Sequence, residues 1–156
     1  MEKRTLRLSP IRLLIGCMGP FLMGTWGCGP STPFPMVKIT GTVLYDDGSP
    51  IPGDRVTVTF VPQVLPADPK THPRSAFAVL DNETGEIGVV TTVKYGDGLI
   101  RGKHKVYVNS VDKQNYQLPV VPSSYTNVKE TPIEIDTADS LIEIKIPRPN
   151  SGHRDP

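Results

Sequence analysis

From Met36 onward the chain alternates apolar and polar residues in short runs, and each run stops at a turn rich in glycine, proline or aspartate. Val37, Ile39, Gly41, Val43 and Tyr45 alternate with Lys38, Thr40 and Thr42. A period of two sends successive side chains to opposite faces, so this run predicts a strand with one buried face. Asp46-Asp47-Gly48-Ser49-Pro50 ends it with turn chemistry. Val56, Val58 and Phe60 then alternate with Arg55, Thr57 and Thr59 as far as Pro62. Further strands are predicted over 76–80, 86–92 and 103–111, the last with Val106 and Val108 against Lys105, Tyr107 and Asn109. Ile133 and Ile135, then Ile142, Ile144 and Ile146, supply two closing strands. Long proline-bearing loops are expected at 63–75 and about 112–130. Seven short strands with no amphipathic helix predict an all-β fold, a seven-stranded antiparallel β-sandwich in a single domain.

The segment before this pattern has another character. Lys3, Arg4, Arg7 and Arg12 give a basic start opposed only by Glu2, and Leu13 to Trp26 is uncharged and mostly apolar. Gly27-Cys28 follows, which completes the charged, apolar and small-residue order of a secretory signal. Two cysteines compete for a lipid anchor. Leu14-Ile15-Gly16-Cys17 has the better local lipobox pattern, but its apolar run is about five residues, short of the roughly 7–15 that an export signal requires. Cys28 follows a stretch of the right length and precedes the polar Gly29-Pro30-Ser31-Thr32-Pro33, so Cys28 is favoured and Cys17 is the alternative. A retained membrane helix is disfavoured because Gly16, Gly19, Pro20 and Gly24 interrupt a stretch shorter than the roughly 18–20 apolar residues a span needs. Soluble secretion with Cys28 idle is the other alternative.

The expected organisation is therefore a lipoprotein signal peptide at 1–27, a flexible tether at 28–35, the sandwich at 36–147 and a polar tail at 148–156. No cysteine follows Cys28, so the domain holds no disulfide and no thiolate metal site. Its stability must come from its own core. The whole chain has 17 Lys+Arg and 16 Asp+Glu; removing the leader's four basic residues and one acidic residue leaves 13 against 15, a formal charge of −2. A slightly acidic domain with scattered charge carries no footprint for nucleic acid.

The run VKITGTVLYDDGSPIPGDRVTVTFVP resembles the opening of the carboxypeptidase regulatory-like domains, which are transthyretin-like sandwiches. Gly41, Val43, Asp47, Gly48, Pro50 and Gly53 follow that family's order. GEIGVVTT resembles the strand after its D-x-x-G turn, and YGDGLIRGKHKVYV its glycine corner and central strand, with His104 in place of an aromatic. With the lipobox leader, the whole is similar to short bacterial lipoproteins of unassigned function. The resemblance spans about residues 36–147 and implies a seven-stranded sandwich at the cell envelope. That fold also includes hydroxyisourate hydrolases, which end in Tyr-Arg-Gly-Ser. This chain ends Ser151-Gly152-His153-Arg154-Asp155-Pro156, so that activity is not expected.

The residues themselves offer little chemistry. His72, His104 and His153 have no metal-ligand spacing. Asp81-Asn82-Glu83-Thr84-Gly85-Glu86 is oxygen-rich but lacks the spaced acids and closing Glu of a calcium loop. No serine sits in a G-x-S-x-G elbow. No catalytic residue, metal or cofactor is expected. Tyr95, Tyr116 and Tyr125 fall in loops and are the candidate binding residues, since an exposed aromatic stacks on sugars or partner side chains. The expectation is a non-enzymatic, lipid-anchored binding or structural module facing the periplasm or cell surface. Its partners are a membrane and an envelope protein or glycan; a carbohydrate-binding module, or an accessory domain of an envelope enzyme complex, is the alternative.

Overall fold

The computed structural model describes residues 32–139 and 141–149. The leader, Cys17, Cys28, the tether up to Ser31, and the tail from Asn150 with His153 lie outside the described residues. The described chain is all-β. Its strands are β1 (Met36–Val37), β2 (Thr40–Tyr45), β3 (Arg55–Pro62), β4 (Ala76–Val79), β5 (Leu99–Ile100), β6 (Lys103–Val111), β7 (Glu134–Asp136) and β8 (Leu141–Ile146). A single 3₁₀ turn over Ser123–Tyr125 is the one helical element among the described residues. Four strands form a sheet in the order β4-β3-β6-β7, while β2 pairs with β8 and β1 with β5.

The period of two becomes a period of burial. Val56, Val58, Phe60 and Pro62 of β3 point inward, as do His104, Val106, Val108 and Ser110 of β6. Val43 and Tyr45 of β2 and Ile142, Ile144 and Ile146 of β8 meet them from the other layer in one core cluster. Each such aliphatic or aromatic side chain contributes roughly 1.5–3 kcal/mol when fully buried. Among the described residues, that cluster runs from Ile39 to Ile146. The polar groups drawn inside are bonded: the Ser110 hydroxyl donates to the Pro52 carbonyl at 2.6 Å and the Thr131 hydroxyl to Val106. A buried polar atom left bare costs about 1–3 kcal/mol, and none is found among the described residues.

Three expectations change. The run 37–45 is two strands, because the chain switches partner at Lys38-Ile39, from β5 to β8. The segment 86–92 is no regular strand: Ile87 N–H donates to Gly41 of β2, whereas Gly88 N–H donates to Val79 beyond β4's inner register and Thr91 exchanges two bonds with Phe77. It begins on one layer and ends on the other, as chain at a sandwich corner does. A purely antiparallel pairing is also corrected, since β2 and β8 run parallel over six residues. β7 ends beside the start of β6, at the same end of the domain where β2 begins. The turn after Asp136 crosses to the other layer instead of reversing within the sheet, so β8 departs from that end alongside β2.

The long loop after β6 is partly a core element. Val121 is buried, Tyr125 packs against the core, and the buried Tyr45 hydroxyl donates to the Val120 carbonyl at 2.5 Å. Two ends result. The tether end gathers residues 32–39, the 63–75 loop, residues 92–103 and the turn at 136–139, joined by Arg101 N–H to Pro35, Gln63 N–H to Lys103 and Thr137 N–H to Gly102. The far end gathers the turns at 46–54 and 81–86, residues 111–118 and Arg148.

Candidate functional site

The outer face of the four-stranded sheet is the most distinctive surface of the described residues. Strand register sets Thr59 between Phe77 of β4 and Tyr107 of β6, and Thr57 between Val79 and Asn109. All of these occupy the outward phase of their strands. Phe77 is 51% exposed and Val79 45%, and Val89 extends the apolar area at 50%. Adjacent strands lie about 4.8 Å apart, so Phe77 and Tyr107 flank Thr59 with backbones about 10 Å apart. The result is an apolar and aromatic row that crosses three strands, with threonine hydroxyls between.

The local sequence explains how β4 places its large side chains outward. In Ala76-Phe77-Ala78-Val79 the alanines face the core, where Ala76 and Ala78 are 2% and 1% exposed, while Phe77 and Val79 face solvent. Hydrophobic size is thus inverted relative to burial. Phe77 and Tyr107 lie on strands, apart from the loop tyrosines expected to bind. Tyr107 shares its parity with Lys105 and Asn109 in the sequence, but 76–80 is apolar throughout, so only the strand register shows that Phe77 faces outward beside it.

The three loop tyrosines are not brought together. Tyr95 stands at the tether end, 84% exposed, in the turn over Lys94–Asp97. Tyr116 stands at the far end, 72% exposed, in the turn that Asp112 organises by accepting the N–H groups of Gln114 and Tyr116. Tyr125 is half-buried against the core. The first two are single exposed rings at opposite ends.

A cleft of about 180 Å³ opens at the tether end. Thr32, Phe34, Thr71, His72, Arg74 and Val93 contribute to its walls. Beside it, Asp97 accepts the N–H groups of Thr92, Val93 and Lys94 at 2.8–2.9 Å. Burial opposes ionisation of that carboxyl, but the bonds from Lys94, Thr92 and Val93 outweigh it and hold its pKa below the usual range. The group shapes a loop. Asp81 does the same for 81–85, where one carboxylate oxygen takes the N–H groups of Thr84 and Glu83 and the Thr84 hydroxyl. These bonds lower its pKa.

No family model matches the chain, and no curated protein or solved structure matches it either.

Of the two described histidines, one is buried and one exposed. His104 is 1% exposed, its Nδ1 3.0 Å from the Gly102 carbonyl, and burial pushes its pKa down. It is a neutral core residue of β6. His72 is exposed on the cleft wall. Among the described residues no three His, Cys, Asp or Glu side chains come together as metal ligands would.

Proposed function

We propose that this chain is a non-enzymatic, lipid-anchored module of the cell envelope, tethered to a membrane through Cys28 and engaging an envelope protein or glycan through the outer face of its four-stranded sheet. The fold behind this reading is a seven-stranded, transthyretin-like sandwich, in which the corner segment 86–92 acts as a strand shared between layers. The carrying observation is the row Phe77-Thr59-Tyr107 with Val79 and Val89 beside it. Leaving apolar surface in water costs about 25 cal/mol per Å², and contiguous exposed apolar surface marks an interaction face more often than a scattered residue does. The domain buries Ala76 and Ala78 while presenting Phe77 and Val79, so this face is not a by-product of core packing.

A second reading is favoured by the same row. Two aromatic side chains on backbones about 10 Å apart, with a hydroxyl between them, suit successive rings of a glycan as well as they suit a protein strand. The test is in-cell cross-linking of the full chain followed by its purification, comparing wild type with Phe77→Ser/Tyr107→Ser. The reading predicts a discrete cross-linked species that the double variant loses while retaining its melting temperature. An unchanged cross-linking pattern would remove the sheet face from the account. A glycan array then separates polysaccharide from protein.

A further inference from the structure

The charges of the described domain are sorted by end. The tether end carries Lys38, Lys70, Arg74, Lys94, Arg101 and Lys103, all exposed, against Asp68, Asp97, Asp136 and Asp139, a balance of +2. The far end carries Arg55, Lys113, Lys145 and Arg148 against seven acidic residues in the turns at 46–54 and 81–86 and at Asp112, a balance of −3. The domain as a whole is acidic, yet the end where the chain enters from its tether is basic. Two of the four acids there are turned onto their own loops. Asp68 accepts the N–H groups of Lys70 and Thr71 at 2.7 and 2.9 Å, and Asp97 holds the three of its turn. The cations have no such partners: among the described residues the one ion pair is Arg148 with Asp47, at the far end.

We infer that the tether end docks on a bilayer surface containing anionic phospholipid, with Arg74 and His72 at the cleft beside Phe34 as the point of closest approach to the headgroups. The inference rests on the Cys28 anchor. Thr32 is four residues from Cys28, a span of at most about 14 Å when fully extended. Electrostatic screening acts over about 8–10 Å at ordinary ionic strength, so a domain on so short a leash feels the surface potential. One anchored end attracted and the opposite end repelled fixes an orientation. It stands the domain with its far end outward and its sheet face exposed to the side. A basic patch and an acyl chain together give the two-signal anchoring that neither supplies alone.

Vesicle co-sedimentation of the mature chain carrying Cys28→Ser measures this; it keeps every core residue found among the described residues, Ile39 to Ile146. Vesicles of phosphatidylcholine alone are compared with vesicles of phosphatidylcholine and phosphatidylglycerol at low salt. Binding is expected only to the second, falling by at least about fivefold for each of Arg74→Glu, Lys94→Glu and Arg101→Glu, and disappearing in high salt. Lys113→Glu, at the far end, is expected to leave binding unchanged. Circular dichroism confirms that each variant is folded. Equal binding to both vesicles, no binding to either, or a loss in Lys113→Glu matching that in Arg74→Glu would overturn the inference. Mass analysis of the full chain reports acylation separately: an unmodified Cys28 ends the anchor reading whatever the vesicles show, and an acylated Cys28 with indifferent vesicles ends only the docking.

Discussion

His104 shows what one inward position on a strand does to a titratable group. Its place in β6 is a core place, between Gly102 and Val106 on the buried parity, and its ring is closed off from water. Burial favours the neutral imidazole, while the Gly102 carbonyl at its Nδ1 and the Asp136 carboxylate pull the other way and do not prevail. The unfolded chain therefore takes up a proton that the folded chain refuses, and the folded state loses stability as pH falls through about 6.5. Melting temperature is expected to drop between about pH 7.5 and 5.5 in wild type, well above the range in which free carboxylates titrate. His104→Phe should flatten that slope; an equal slope in the variant would place the titrating group elsewhere. The parity of His104 was readable in the sequence, since Val106 and Val108 share it. The partner of Tyr45 was not, because Val120 is 75 residues away and no local pattern links a strand tyrosine to a loop carbonyl.

At the scale of elements, glycines decide where strands change sheets. Gly88 sits where the 86–92 segment leaves β2 and turns to β4, and a Cβ there would lie 2.5 Å from the Val79 carbonyl oxygen. Gly41 in β2 is pressed harder still, by three backbone atoms of Ile142 in β8. A methyl group at either position must separate two backbones, a cost of about 1–3 kcal/mol. Gly88→Ala is expected to lower stability by that amount in chemical unfolding, whereas Lys94→Ala, in an exposed turn, should change it little. Equal stability of Gly88→Ala and wild type would mean that the corner is not closely packed. Alternation located β3, β6 and β8 because each keeps one face buried throughout its length. The segment 86–92 could not be read that way: its polar backbone groups divide between two layers, and alternation describes only a strand that stays in one. The parallel run of β2 beside β8 was equally hidden, since pairing direction depends on where the intervening chain re-enters and not on either strand's own residues.

At the scale of the molecule, the described residues form a β core with three distinct surfaces. One is the basic end that holds residues 32–39, the second an acidic far end, and the third a sheet face that presents Phe77 and Tyr107 around Thr59. The sequence pointed to lone tyrosines in loops as the binding residues, because exposure is easiest to foresee in turns. The aromatic row on the sheet needed register, which joins residues 77, 59 and 107 across three strands. The polarity of charge likewise needed topology, since the cations of the tether end are spread from Lys38 to Lys103 in the chain. Anchoring at Cys28 gives these surfaces a direction, and it is the claim on which the account turns. Intact-mass and N-terminal peptide analysis of the protein purified from membranes tests it most directly. The prediction is a mature chain that begins at Cys28 and carries a diacylglyceryl group on that cysteine. A chain that begins elsewhere, or a Cys28 that carries no lipid, would contradict it.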